Sequence, residues 1–149
     1  MNKKLTVVLA VIIALFLMGT VSAGFFDFLK GDSDSADVSV VEDGQYCSVD
    51  EVAAYIKEFH KLPSNYITKK EAQALGWHGG PLKNYAPGKS IGGDVFGNRQ
   101  HVLPDSKDKY IECDINANGT SRGAERIVYN TGDFSVYYTD DHYNSFEEV

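Results

Sequence analysis

Midway along this 149-residue chain the hydrophobic pattern changes period, and that change restricts the fold more than any other feature. Ser48 followed by Glu51 is a capping-box pattern, and Val52, Tyr55, Ile56 and Phe59 then share one face at helical spacing. Pro63 is placed to stop that helix. A second box, Thr68 and Glu71, leads into residues 72–75, with Gly76 placed to end them. Beyond Pro87 and Gly88 the period falls to two. Ile111, Cys113 and Ile115 fall on one face of a strand over 110–115, and Tyr110, Glu112 and Asp114 on the other. Residues 126–129 and 134–138 read as further strands around a turn at 130–133, and 142–146 as a last strand. Helices first and an antiparallel meander second is an α+β plan. One face of the sheet packs on the helices, and the other stays open for a site.

The chain ahead of this domain has a different character. Asn2, Lys3 and Lys4 precede an apolar run over 5–18, and Val21-Ser22-Ala23 offers a small-x-small cleavage pattern. Residues 1–23 therefore read as a signal peptide, which implies a secreted protein with no stable membrane association once processed. The other reading is an uncleaved anchor, since 5–26 reaches the roughly 20 residues of a span. Residues 24–44 end in a tract too polar to build a core, an acidic flexible linker or propeptide, and the folded domain is expected over 45–149. In an exported chain, Cys47 and Cys113 favour one disulfide closing a long loop; two free thiols, one buried, is the alternative.

The net charge of -7 argues against binding nucleic acid by bulk electrostatics. Six of the acids precede Cys47, however, and from there onward 11 Lys and Arg face 15 Asp and Glu. A locally basic cleft fits on such a surface. Glu112 and Asp114 share the open face, and Arg126 on a neighbouring strand, Arg122 ahead of it and His142 after the last turn can reach it. A carboxylate to remove a hydroxyl proton, an imidazole to protonate a leaving oxygen and guanidinium groups to take up charge suit phosphodiester chemistry. The same residue types are also ordinary surface groups, so spacing alone leaves both readings open. His60, His78 and His101 are scattered, without HExxH or paired CxxC, and no metal or cofactor is expected. Gly88-Lys89-Ser90 is not a phosphate loop, because Lys83 stands where its first glycine must be.

Longer blocks are more specific. Residues 59–77 (FHKLPSNYITKKEAQALGW) and 86–96 (APGKSIGGDVF), then Asn98-Arg99, Asp114-Ile115-Asn116, Arg126-Ile127 and Thr139-Asp140-Asp141-His142-Tyr143, closely resemble the barnase-type microbial guanyl-preferring ribonucleases. The resemblance covers essentially the whole folded domain. It implies helices on a five-stranded antiparallel sheet, and a secreted, monomeric endoribonuclease that cuts single-stranded RNA after guanosine without metal. Glu112 matches the general base, His142 the general acid, Arg122 and Arg126 the phosphate-binding arginines, and Lys69 a transition-state lysine. Tyr143 matches a substrate-binding residue, and Asp114 is expected to anchor the arginines. Phe96, Gly97, Asn98, Arg99 and Gln100 match the guanine-binding loop, with two departures. Gly97 stands for a serine, and Gln100 for a glutamate whose two oxygens accept guanine's ring and amino protons. A glutamine accepts only one of these without a donor–donor clash, which predicts relaxed base preference. An intracellular inhibitor of barstar type is the implied partner. The competing reading is an inactive ribonuclease fold that binds RNA or a protein.

Overall fold

In the computed structural model, which describes residues 38–149, the first element is helix α1, Val49–Phe59. Ser48 caps it by accepting from the Glu51 N–H, and Asp50 and Glu51 sit in the first turn, where the helix dipole favours acids. The helix ends at His60, which turns left-handed at φ 60° and stacks on Phe134. It therefore stops three residues ahead of Pro63. Strand β1, Tyr66–Ile67, follows, and then helix α2, Lys69–Ala74. Thr68 and Glu71 form the complete reciprocal box expected at its start, and Gly76 lies just past its end at φ 105°.

Strands β2 (Ser90–Phe96), β3 (Tyr110–Asp114), β4 (Arg126–Asn130), β5 (Val136–Thr139) and β6 (Glu147–Glu148) complete a sheet in the order β1-β2-β3-β4-β5-β6. The α+β class stands, but the sheet has six strands where five were expected. The pairs from β2 onward are antiparallel, and β1 joins the edge in parallel, Tyr66 beside Ser90. Two residues are too few to show an alternation, so β1 leaves no periodic signal. The expected strand over 142–146 is a turn instead, because His142 and Tyr143 take φ of 58° and 77°, which no strand accommodates. Phe134, at φ 59°, likewise delays β5 to Val136.

The main core lies between α1 and one face of the sheet. Val52, Ala53 and Ile56 meet Tyr66, Cys113, Ile115, Ile127, Tyr129 and Val136. Strand β4 is buried along its whole length, since Val128, on the opposite face from Ile127, packs with Leu103 and Tyr110 in a second cluster. The second face is thus open only in part; the connection after β2 covers its far end. Gly92 allows β2 close approach, because a Cβ there would lie 2.6 Å from both Cys113 Cβ and the Tyr66 ring.

Residues 38–44, ahead of the domain start expected at Gln45, make contacts with the domain. Tyr55 donates to the Glu42 carbonyl, Lys61 pairs with Glu42 at 2.8 Å and Tyr46 Oη accepts from Val41 N, so residues 38–44 pack on α1. Cys47 and Cys113 are free thiols, not a disulfide. Cys113 is enclosed in the main core, where burial pushes its thiol well above the ordinary range, while Cys47 is half-buried beside Glu51 ahead of α1. The expected signal peptide over 1–23 and the rest of the linker lie outside the described residues.

Candidate active site

Strand β3 supplies the carboxylates. Its alternation turns Cys113 into the core and Glu112 and Asp114 to the other face, as the period of two requires. Register then brings Arg126 directly opposite Asp114. Arg126 Nε lies 3.1 Å from Asp114 Oδ1, and Nη1 donates to the carbonyls of Gly123 and Glu125 at 2.8 Å each. Arg122 reaches back from the preceding loop in a bidentate pair with Asp114, at 2.6 and 3.1 Å. That pairing raises the Arg122 guanidinium above its ordinary range, and its central carbon lies 5.7 Å from the Trp77 ring centroid. Asp114 and Arg126 are only 2% and 4% exposed, so the ion pair is desolvated and each partner depends on the other. Asp114 thus contacts both arginines.

Glu112 sits between a phenol and an ammonium. Tyr143 Oη donates to its Oε1, and Lys69 Nζ lies 3.9 Å from its Oε2. Lys69 is placed by the start of α2, where its own N–H donates to Asp94 on β2 at 3.0 Å. Asp94 is also the cross-strand neighbour of Glu112.

The turn after β5 carries His142 and Tyr143. Two successive non-glycine residues in the left-handed region cost on the order of 1–3 kcal/mol each. A side-chain cage holds them there. Asp141 accepts from Thr139 Oγ1, Asn144 N, Ser145 N and Ser145 Oγ, at 2.6 to 3.1 Å, and Thr139 Oγ1 accepts from Tyr143 N at 3.2 Å. The bonds from Ser145 and Thr139 pull the Asp141 carboxyl down to about 2. His142 N donates to Ala124 O, which ties the turn to the arginine loop.

A cleft of about 330 Å³ opens beside this turn. Phe96, Gly97, Asn98, Arg99 and Gln100 line one side with Val102, and His142, Tyr143 and Asn144 the other. The loop is shaped by Asn98, at φ 50°, whose amide donates to Leu103 O and accepts from Leu103 N, both at 3.0 Å. Phe96 stacks on Tyr143 at 5.1 Å, and Tyr143 meets the His142 ring at 4.8 Å. One tyrosine therefore connects the loop, the histidine and Glu112. The loop and His142 share the cleft. Glu112, Lys69 and the two arginines lie beyond its lining residues and meet it through Tyr143.

Asp94, Thr139, Asp141, Trp77 and Val102 had no role in the sequence reading. Only the Thr139–Asp141 pair left a trace there, a side-chain–backbone turn signal just ahead of the histidine. Among the described residues no three His, Cys, Asp or Glu side chains are grouped to hold a metal ion.

An imidazole lining the cleft and a carboxylate joined to it through Tyr143, with a lysine and two arginines nearby, suit proton transfer beside a developing negative charge. On an α+β sheet with α1 packed on one face, these are the groups that phosphodiester cleavage needs. The sequence model of the ribonuclease family matches residues 49–149, and the chain belongs to that family. It is 48% identical over 103 residues to a ribonuclease of Heyndrickxia coagulans, covering 67% of this chain and 94% of that one. A Bacillus intermedius ribonuclease is also 48% identical over 103 residues, of which this chain spans 63% of the length. The guanyl-specific ribonuclease St of Saccharopolyspora erythraea is 43% identical over 56 residues, 36% of this chain and 54% of its own.

Proposed function

We propose that the protein is a secreted, monomeric endoribonuclease that cleaves single-stranded RNA after guanosine, without metal, through a 2′,3′-cyclic phosphate. The observation that carries this reading is the shared cleft. The loop of Phe96–Gln100 and His142 face each other across it, and Tyr143 joins both to Glu112.

In the first step Glu112 takes the proton of the 2′-hydroxyl as the 2′-oxygen bonds to phosphorus. His142 gives a proton to the 5′-oxygen as the phosphorus–5′-oxygen bond breaks. Arg122, Arg126 and Lys69 take up the charge that gathers on the phosphoryl oxygens. In the second step His142 takes a proton from water as the water oxygen bonds to phosphorus. Glu112 returns its proton to the departing 2′-oxygen. The exposed His142 ring suits exchange with solvent between steps, and the half-buried Glu112 is screened from it. The Phe96–Gln100 backbone reads the guanine edge, and Gln100 supplies one acceptor. The guanyl specificity named for the Saccharopolyspora erythraea relative supports the base preference. A small acidic inhibitor of barstar type would meet the same cations.

The test is RNA cleavage in the presence of chelator by wild type, Glu112→Ala and His142→Ala, with cut positions mapped. Both variants are expected to fall by roughly 10² to 10⁴. Equal activity in all three proteins would contradict the assignment, and cuts spread evenly over the four bases would contradict the guanine preference.

A further inference from the structure

The two oxygens of Glu112 have different surroundings. Oε1 accepts the Tyr143 hydroxyl, whereas Oε2 has Lys69 Nζ at 3.9 Å, outside hydrogen-bond reach. We propose that Tyr143 is a positioning residue for the base: it holds Oε1 and leaves Oε2 as the atom that takes the 2′-hydroxyl proton. The inference rests on the reading of Glu112 as general base given above.

Three observations make the phenol a fixed support. Its ring is stacked on Phe96 at 5.1 Å, with the Arg126 guanidinium 6.0 Å from its centroid. Its backbone is fixed by the bond from Tyr143 N to Thr139 Oγ1 and by the Asp141 cage on the same turn. Burial, and next the hydrogen bond to Glu112, push its hydroxyl well above the ordinary tyrosine range, so the phenol keeps its proton and acts only as a donor. Tyr143 makes and breaks no bond in the reaction.

A donor aimed at a carboxylate favours the ionised form, and removing it raises the carboxyl pKa. The charged and titratable groups that surround Glu112 and Tyr143 are Lys69 from α2, Asp94 from β2, Asp114 on its own strand, Arg126 from β4, Arg122 from the preceding loop and His142 from the turn, and Tyr143→Phe alters none of them chemically. Val128, opposite Glu112 on β4, is uncharged. The change therefore reads the hydroxyl alone.

The experiment compares wild type with Tyr143→Phe, which keeps the ring on Phe96, in pH profiles of kcat and KM on a short guanosine-containing RNA. The expected result is a kcat about tenfold lower, from loss of orientation, with KM within about twofold. The acidic limb of the kcat profile should move to higher pH. A change in KM alone would make the hydroxyl a substrate contact and overturn the proposal, as would an unchanged kcat and acidic limb. In the wild-type fold, Glu112→Gln should return the Tyr143 phenol toward its ordinary range; a phenol unmoved by that change also overturns it. Full cleavage by Glu112→Gln would instead bring down the base assignment itself. An inactive Glu112→Gln beside a Tyr143→Phe protein identical to wild type would bring down only the role of Tyr143.

Discussion

Asp114 shows how much of the candidate site rests on one buried side chain. It holds Arg122 by two bonds and Arg126 at 3.1 Å, almost wholly out of water. Asp114→Ala would leave the buried Arg126 without its counter-charge, and a stability loss of about 3–5 kcal/mol is expected in a denaturant titration. The proposed role of Gln100 is in selectivity. It lines the cleft and has one acceptor oxygen to offer, so Gln100→Glu should sharpen guanosine over adenosine cleavage by roughly 1–3 kcal/mol in relative kcat/KM. An unchanged ratio would mean that the loop backbone alone sets the preference. Asp114 was legible because the strand period puts it beside Glu112 and one arginine lies on the next strand. Asp94 was not, because its partner is a backbone N–H at the start of α2, and no spacing rule links those two places.

The elements divide the same way. Both helices could be read in advance, since their caps and apolar stripe are local. The last turn reads as a strand only from residue type, since Tyr143 and Phe146 are aromatics common in strands. What overrides that pattern is the hydrogen bonding of Asp141 and Thr139, which outweighs the backbone preference of two residues. That dependence is testable by pH. Asp141 is shifted from its ordinary 3.8 down to about 2, so it contributes stability that is present above pH 3.8 and lost as pH falls through about 2. Asp141→Asn should therefore melt below wild type at neutral pH, and the gap in Tm should close between about pH 4 and pH 2. A gap of constant size across that range would show that the carboxylate charge plays no part in holding the turn. The variant should also lose activity, since the turn carries both His142 and Tyr143.

Over the whole molecule, the site is a matter of register: β3 opposite β4, α2 at the edge of β2, and the β5–β6 turn folded over all three. The order of helices and meander was visible in the change of period, and the identity of the family in long blocks of matching sequence. Neither disclosed β1 or the docking of residues 38–44, because both depend on contacts between segments remote in sequence. Tyr55, Lys61 and Tyr46 hold residues 38–44 against α1, away from the cleft-lining residues. A protein beginning at Gln45 should have a lower Tm and an unchanged kcat; equal Tm values would mean that residues 38–44 add nothing to stability. The proposed mechanism pairs Glu112 as base with His142 as acid. Its most direct measurement is the pH dependence of kcat/KM for cleavage of a guanosine-containing dinucleotide by wild type, Glu112→Gln and His142→Asn. Wild type should give a bell, Glu112→Gln should lose the acidic limb and His142→Asn the alkaline limb, with the residual rate at least a hundredfold down. Both limbs persisting in either variant would contradict it.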